Sequence, residues 1–237
     1  MKIAIVGYGK MGKTIEKLAL EMGHEVALII DADNSNQLSD QNIDIDIAIE
    51  FSTPSTVISN IKACVDRQLP VVVGTTGWLK QLPEISQYIK EKNGTLFFAS
   101  NFSLGVNIFF KINQWLARVM NNYPDYQVKI DETHHIHKLD KPSGTAITLA
   151  DDLIDIHDLY SEWTLDSTHQ KNQLLIQSNR LGEVPGDHSV VYKSSIDELK
   201  IEHKAYGREG FALGAIKVAE WTLDKKGILT MNDFIKI

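Results

Sequence analysis

Cysteine is almost absent from this chain. Cys64 is the only one in 237 residues, which excludes an intrachain disulfide and a metal site built on thiolates. It falls on a helical apolar face, where a buried thiol is expected rather than a reactive one. There is no basic run, and the formal net charge is -7, so general nucleic-acid binding is not expected. No apolar run approaches the roughly 18 residues that a membrane span needs. The first strand-like run opens at Lys2, leaving no room for a signal peptide, so the expected location is cytoplasmic, away from membranes. Internal repeats and low-complexity segments are lacking as well. What remains is an ordinary globular composition, 43% apolar and 23% charged, long enough for one large core or two modest ones.

The first hundred residues alternate short apolar runs with amphipathic segments, the pattern of a parallel sheet flanked by helices. Residues 3–6, 25–30, 45–51, 71–75 and 95–99 read as strands. Between them Ile15, Leu18, Ala19 and Met22 share a helical face, as do Val57, Ile58, Ile61 and Val65 behind a Ser-Thr-Pro start. After Asn101 the texture changes. A helix carrying Val106, Phe109, Ile112 and Leu116 leads into longer alternating runs at 126–132, 174–179, 189–193 and 198–203. These suggest an antiparallel or mixed sheet with one face exposed or covered by another subunit. The expected fold class is α/β: a Rossmann-type parallel-sheet domain over 1–103, then an α+β substrate-binding and oligomerisation domain over 104–237. The last helix, about 209–225, can pack back on the first domain. Residues 160–172 give no clear pattern.

Gly7, Tyr8, Gly9, Lys10, Met11 and Gly12 spell G-x-G-x-x-G between a strand and a helix, the context in which glycines let a pyrophosphate approach backbone N–H groups. Residues 7–14 also spell G-x-x-x-x-G-K-T, a phosphate loop. The residues that follow favour the dinucleotide reading. Asp31 stands at the end of the second strand, about 20 positions on, where a carboxylate holds the ribose hydroxyls. Asp46 and Glu50 are poorly placed for magnesium. Asp31 accepts from a free 2′-hydroxyl and repels a 2′-phosphate, and Ala32 offers no offsetting cation, which favours NADH over NADPH. Lys10 and Lys13 remain in reach of a phosphate.

The richest stretch is 131–146, Asp-Glu-Thr-His-His-Ile-His-Lys-Leu-Asp-Lys-Pro-Ser-Gly-Thr-Ala. Two adjacent imidazoles exchange protons near neutral pH, Lys138 offers a cation, and Ser143, Gly144 and Thr145 open a helix whose N-terminus suits a carboxylate. A zinc site on His134, His135 and His137, with Asp140 or Glu132, is the alternative. Strand alternation would point His134 and His135 to opposite faces and so disfavours it. His24, His157, His169, His188 and His203 read as ordinary surface or core histidines, and Arg208 is unassigned.

With the glycine loop, the Gly-Thr-Thr-Gly run at 74–77, the Phe-Ala-Ser-Asn-Phe-Ser run at 98–103 and the double-histidine segment in this order, the whole chain resembles the dihydrodipicolinate reductase family. The family signature E-x-H-H-x-x-K-x-D-x-P-S-G-T-A is matched from Glu132 to Ala146. The resemblance implies a two-domain homotetramer that reduces a small cyclic dicarboxylate with NADH or NADPH in lysine and diaminopimelate biosynthesis. It makes His134 the proton donor or acceptor and Lys138 the second proton donor, with His135, Ser143, Gly144 and Thr145 on substrate. It places the glycine loop, Asp31, Gly74, Thr75, Thr76, Ala99, Ser100, Asn101 and Phe102 on the cofactor. Many members carry an Arg where this chain has Ala32, and many have one more residue in the glycine loop. The alternatives are another dehydrogenase of a small anionic substrate, of the aspartate dehydrogenase kind, and a phosphate-loop nucleotide-binding protein.

Overall fold

The computed structural model describes residues 1–236. The chain opens with β1 (Lys2–Val6), α1 (Lys10–Glu21), β2 (Glu25–Ile30), β3 (Ile47–Glu50), α2 (Val57–Asp66), β4 (Val71–Val73), α3 (Leu82–Lys92) and β5 (Thr95–Phe98). It continues with α4 (Leu104–Met120), β6 (Gln127–His134), α5 (Gly144–Ile156), β7 (Glu162–Thr164), β8 (Gln173–Arg180), β9 (Asp187–Lys193) and β10 (Glu198–Lys204). It closes with α6 (Glu209–Thr222), β11 (Gly227–Leu229) and α7 (Met231–Phe234). Two compact units result, Met1–Leu104 with the chain from Glu209 onward, and Gly105–Arg208.

The first unit is the Rossmann-type sheet, in the order β11-β5-β4-β3-β1-β2, with every pairing parallel. Its central strands are mainly apolar because both faces are covered, Glu50 at the end of β3 being a buried exception. Ile3, Ile5, Ile47 and Ile49 pack with Ile15 and Ala19 of α1 and Ala212, Ala215 and Ala219 of α6. Ala4, Val6, Ala48, Val71 and Val73 pack on the other face with Ile61 and Val65 of α2 and Ile85 of α3. Period-two alternation thus sorts each strand between two helical layers. Cys64 lies in the second layer, fully buried, and burial pushes its thiol up to about 12. From Glu209 onward the chain belongs to this unit, not to the domain begun at residue 104. The small residues of α6 let it lie close on the sheet, and β11 extends the sheet beside β5. A three-residue strand carries too little alternation to be seen in the sequence. β3 and β4 are also shorter than the runs that announce them, β3 at both ends and β4 where its last residues turn into a loop.

The second unit has a mixed sheet, β10-β9-β6-β8-β7: β6 runs parallel to β8 and antiparallel to β9, and β7 parallel to β8. Val128, Ile130, Leu174, Ile176, Val190 and Tyr192 form a core with Phe109, Leu116 and Ala117 of α4 and Leu149, Ala150 and Leu153 of α5. The alternation of β6 continues past the run read from the sequence. Val128, Ile130, Glu132 and His134 are all buried, while Lys129, Asp131 and Thr133 are half-buried on the other face. Two ionisable side chains therefore end an apolar row. Within the unread stretch 160–172, Glu162–Thr164 pairs with β8.

Candidate active site

In the first unit the strand order reverses between β1 and β3, the place where open α/β sheets take ligands. The turn from β1 into α1 is forced by glycine. Gly7 has φ +93°, and a Cβ there would stand 2.3 Å from the Phe51 carbonyl oxygen; one on Gly12 would stand 2.2 Å from the carbonyl oxygen of Gly7. Neither position has room for a side chain. Gly9 has nothing within 4 Å of its missing Cβ, so its backbone is open to a ligand. A cleft of about 440 Å³ follows, with Gly7, Tyr8, Gly9, Asp31 and Ala32 on one side and Ser52, Thr53, Thr56 and Asn60 on the other. The exposed Asp31 carboxylate accepts from the Ala32 N–H at 2.9 Å, leaving lone pairs for a ribose. A glycine cradle followed by an acidic strand end fits a dinucleotide.

Other residues expected at the cofactor are placed differently. Thr75 is buried, and its hydroxyl accepts from the Ser52 N–H at 2.8 Å, tying the loop after β4 to the loop after β3. A Cβ on Gly74 would stand 2.2 Å from the Phe51 ring. Thr76 and Ser100 are exposed, whereas Met11 and Ala99 pack on the sheet core. Lys10 is exposed at the start of α1, the Tyr8 hydroxyl bonds Glu16, and Asn101 caps the Ser103 N–H at 2.8 Å. The Phe102 ring is 2% exposed and packs against Phe51 and Phe97. This packing takes up the Phe102 side chain.

The sequence reading passed over the hydroxyl wall. Ser52, Thr53 and Thr56 were visible only as a helix start, yet their hydroxyls interlink at 2.9–3.0 Å. Behind them Glu50 is fully buried, its carboxylate accepting from the Ser52 N–H and the Asn60 amide, each at 3.2 Å. Burial raises its pKa against the pull of those donors.

In the second unit the chemistry centres on Glu132, 1% exposed. Its Oε1 accepts from the Ser143 N–H at 3.1 Å and from the Ser178 hydroxyl, and lies 3.3 Å from the Arg180 guanidinium. Its Oε2 lies 2.9 Å from His134 Nδ1, a charge contact outside hydrogen-bond angles, and 3.8 Å from His188 Nε2. Burial alone would raise the carboxyl, but His134, Ser143 and Ser178 together hold it well below the ordinary carboxylate range. His188 also takes the Ser143 hydroxyl at 3.0 Å, and burial, then the His134 charge, push it down to about 4. It is therefore neutral near pH 7.

Ser143 is the N-cap of α5, accepting from the Ala146 N–H at 3.2 Å. Its hydroxyl is engaged with the cap and with His188, so it ties the helix start to the cluster around Glu132. The N–H groups of Gly144 and Thr145, in the first turn, have no partner inside the helix and stay available to an anion. Lys138 is paired with Asp140 at 2.8 Å, so a bound carboxylate must share its charge. Arg180 donates to the carbonyls of Lys138 and Asp140 and so pins this turn to Glu132. His135 is half-buried beyond the end of β6, and the exposed His137 lies 3.3 Å from Glu183. The cluster His134-His135-His137 expected of a zinc site is not gathered. Glu132, His134 and His188 do bring three ligand-type atoms within 4.8 Å. That carboxylate holds the arginine, the N–H and the hydroxyl at Oε1, while Oε2, the oxygen beside the two imidazoles, has no hydrogen-bond partner.

Comparison with known proteins agrees with this geometry. The family model described as "Dihydrodipicolinate reductase, N-terminus" matches residues 1–102, and "Dihydrodipicolinate reductase, C-terminus" matches 105–235. The chain belongs to the dihydrodipicolinate reductase family. It is 45% identical over 236 residues to a 4-hydroxy-tetrahydrodipicolinate reductase of Christiangramia forsetii, covering 99% of this chain and 98% of that one. To the enzyme of that name from Buchnera aphidicola it is 31% identical over 268 residues, covering 99% and 97%. A dipicolinate-bound dihydrodipicolinate reductase from Paenisporosarcina shares the fold, with a TM-score of 0.81, 21% identity and coverage of 100% and 99%. Family membership makes the chain an oxidoreductase using NAD(P)H and sets aside the phosphate-loop reading. In accord with that, the Thr14 hydroxyl bonds the Lys10 carbonyl at 2.9 Å within its own helix. No helix among the described residues is long and apolar enough to cross a membrane.

Proposed function

We propose that this chain reduces 4-hydroxy-tetrahydrodipicolinate to tetrahydrodipicolinate with NADH or NADPH, in lysine and diaminopimelate biosynthesis. The observation that carries this is His134, a proton-exchanging imidazole backed by a buried carboxylate whose other oxygen holds the N-terminus of α5. Gly144, Thr145 and Lys138 bind the substrate carboxylates by N–H groups and charge, with His135 beside them. In the first unit Gly7, Gly9, Gly12 and Asp31 hold the dinucleotide, which when bound supplies the hydride. Loss of the 4-hydroxyl as water leaves a conjugated imine, and adding a hydride to it leaves negative charge that a positioned acid must quench. One such acid typically contributes about 10²–10⁴-fold; His134 is that acid, and Lys138 assists. Turnover of this dicarboxylate by the purified chain tests the reading.

Asp31 and Ala32 favour NADH. The expected result is a kcat/KM with NADH at least equal to that with NADPH. Ala32→Arg, which offers a 2′-phosphate a charged hydrogen bond of about 1.5–3 kcal/mol, should shift the ratio towards NADPH by about tenfold or more. A strong NADPH preference in the unaltered chain would contradict the role given to Asp31.

A homotetramer is supported by α4, which exposes Ile108, Ile112, Trp115 and Val119 along one stripe of helical spacing. Light scattering at micromolar concentration should give four times the 26.6 kDa of one chain. A monomeric mass would contradict it.

A further inference from the structure

The two nitrogens of His134 face different surroundings. Nδ1 faces Glu132 Oε2 at 2.9 Å, near enough for the carboxylate's charge to favour a proton there although the two are not aligned as a hydrogen bond. Nε2 faces Gly186, where a Cβ would stand only 3.0 Å from it. A side chain at position 186 would therefore crowd the ring nitrogen that faces away from the carboxylate.

Glu132 is restrained from turning away. Sheet register sets it opposite Ser178 on β8 and His188 on β9, and sets His134 opposite Arg180. With Ser143, Ser178 and Arg180 engaged at Oε1, Oε2 is left directed at the imidazole. His188 meets the His134 ring edge-on, centroids 5.0 Å apart, and is itself held by the Ser143 hydroxyl at 3.0 Å. Charged and titratable groups beside His134 include Glu132 on its own strand, Arg180 at the end of β8, His188 on β9, and His135 and Lys138 in the following turn. Of these Glu132 alone is an anion, and it is on the Nδ1 side.

Resting on the role of His134 given above, we propose that Glu132 is a positioning residue that keeps a proton on His134 Nδ1, so that Nε2 is the atom exchanging a proton with the substrate, and that Gly186 keeps the approach to Nε2 open. In the forward step the Nε2–H bond breaks and the proton bonds to the substrate centre made negative by hydride addition. The electron pair of the broken bond stays on the ring, which becomes the neutral Nδ1–H tautomer beside Glu132, and solvent then restores the Nε2 proton. A carboxylate behind a catalytic imidazole fixes its tautomer in the same way in unrelated enzymes.

The test is nitrogen NMR of 15N-histidine-labelled protein, with the His134 signals assigned by their loss in His134→Gln. At a pH where His134 is neutral, the unaltered chain should show Nδ1 protonated and Nε2 bare; the Nε2–H tautomer would overturn the proposal. Glu132→Gln, whose amide donates to Nδ1, should invert the tautomer, displace the His134 limb of the pH–rate profile and lower kcat about 10²–10⁴-fold, with NADH affinity unchanged. Glu132→Asp, which keeps the charge, should recover part of the rate. A folded Glu132→Gln protein with the original tautomer and rate would also overturn it, and if that variant does not fold, the spectrum of the unaltered chain decides. The expected tautomer in a protein that does not turn over the dicarboxylate would defeat the functional reading alone. Turnover with the opposite tautomer would defeat this inference alone.

Discussion

His134→Gln should lower kcat about 10²–10⁴-fold while leaving NADH affinity nearly unchanged. The asymmetry follows from placement: His134 ends β6 in the second unit, whereas the glycine turn, Asp31 and the hydroxyl wall belong to the first. A group needed only in the transition state lowers kcat and kcat/KM together, and a group that binds the ground state raises KM alone. Lys138→Ala should show a mixture, since Lys138 is proposed to hold a substrate carboxylate as well and removing it frees Asp140. Thr145→Val should mainly raise substrate KM, by about tenfold if one hydrogen bond to a charged group is lost. Steady-state kinetics with cofactor fluorescence titration separate these patterns. Near-normal turnover by a folded His134→Gln protein would mean that Lys138 or water supplies the proton.

Gly214→Ala should destabilise the first unit although it touches neither site. Gly214 lies on the buried face of α6, and a Cβ there would stand 1.8 Å from the carbonyl oxygen of Phe102 and 2.9 Å from its carbonyl carbon. The obstacle is backbone, so no rotamer change relieves it and the helix must move off the sheet. Overpacking of this kind typically costs about 1–3 kcal/mol, sometimes more. The chain from Phe97 to Phe102, which contacts the sheet core, moves with it, so weaker NADH binding should accompany the lower Tm. A melting temperature equal to that of the unaltered protein would show that α6 is packed more loosely than described. Gly210→Ala is the control: the nearest atom to its missing Cβ, the Ser103 hydroxyl, is 3.8 Å away, and little change is expected.

The first unit was legible because its signals are local. A fully apolar strand, a glycine turn, an amphipathic helix and an acidic strand end lie in chain order within about thirty residues, and each has one physical reading. The second unit announced its reactive segment but not its support. Glu132, His134, Lys138 and Ser143 share one short stretch, whereas Ser178, Arg180 and His188 reach Glu132 only through the register of β8 and β9 against β6. That register is set by which side chains fill the core beneath the sheet, and no short-range pattern encodes it. His188 therefore read as an ordinary histidine, and Arg180 did not stand out. Phe102 and Ser143 stand at motif positions, and only the structure shows that packing engages the Phe102 ring and helix capping the Ser143 hydroxyl. Glu50 illustrates a third limit, since only burial distinguishes it from a surface carboxylate.

The central claim is tested most directly by following the nicotinamide absorbance of NADH with the purified chain and freshly generated 4-hydroxy-tetrahydrodipicolinate. The account predicts NADH consumption that depends on this substrate and is inhibited competitively by pyridine-2,6-dicarboxylate. A folded protein that binds NADH yet consumes none of it with this substrate would contradict the account.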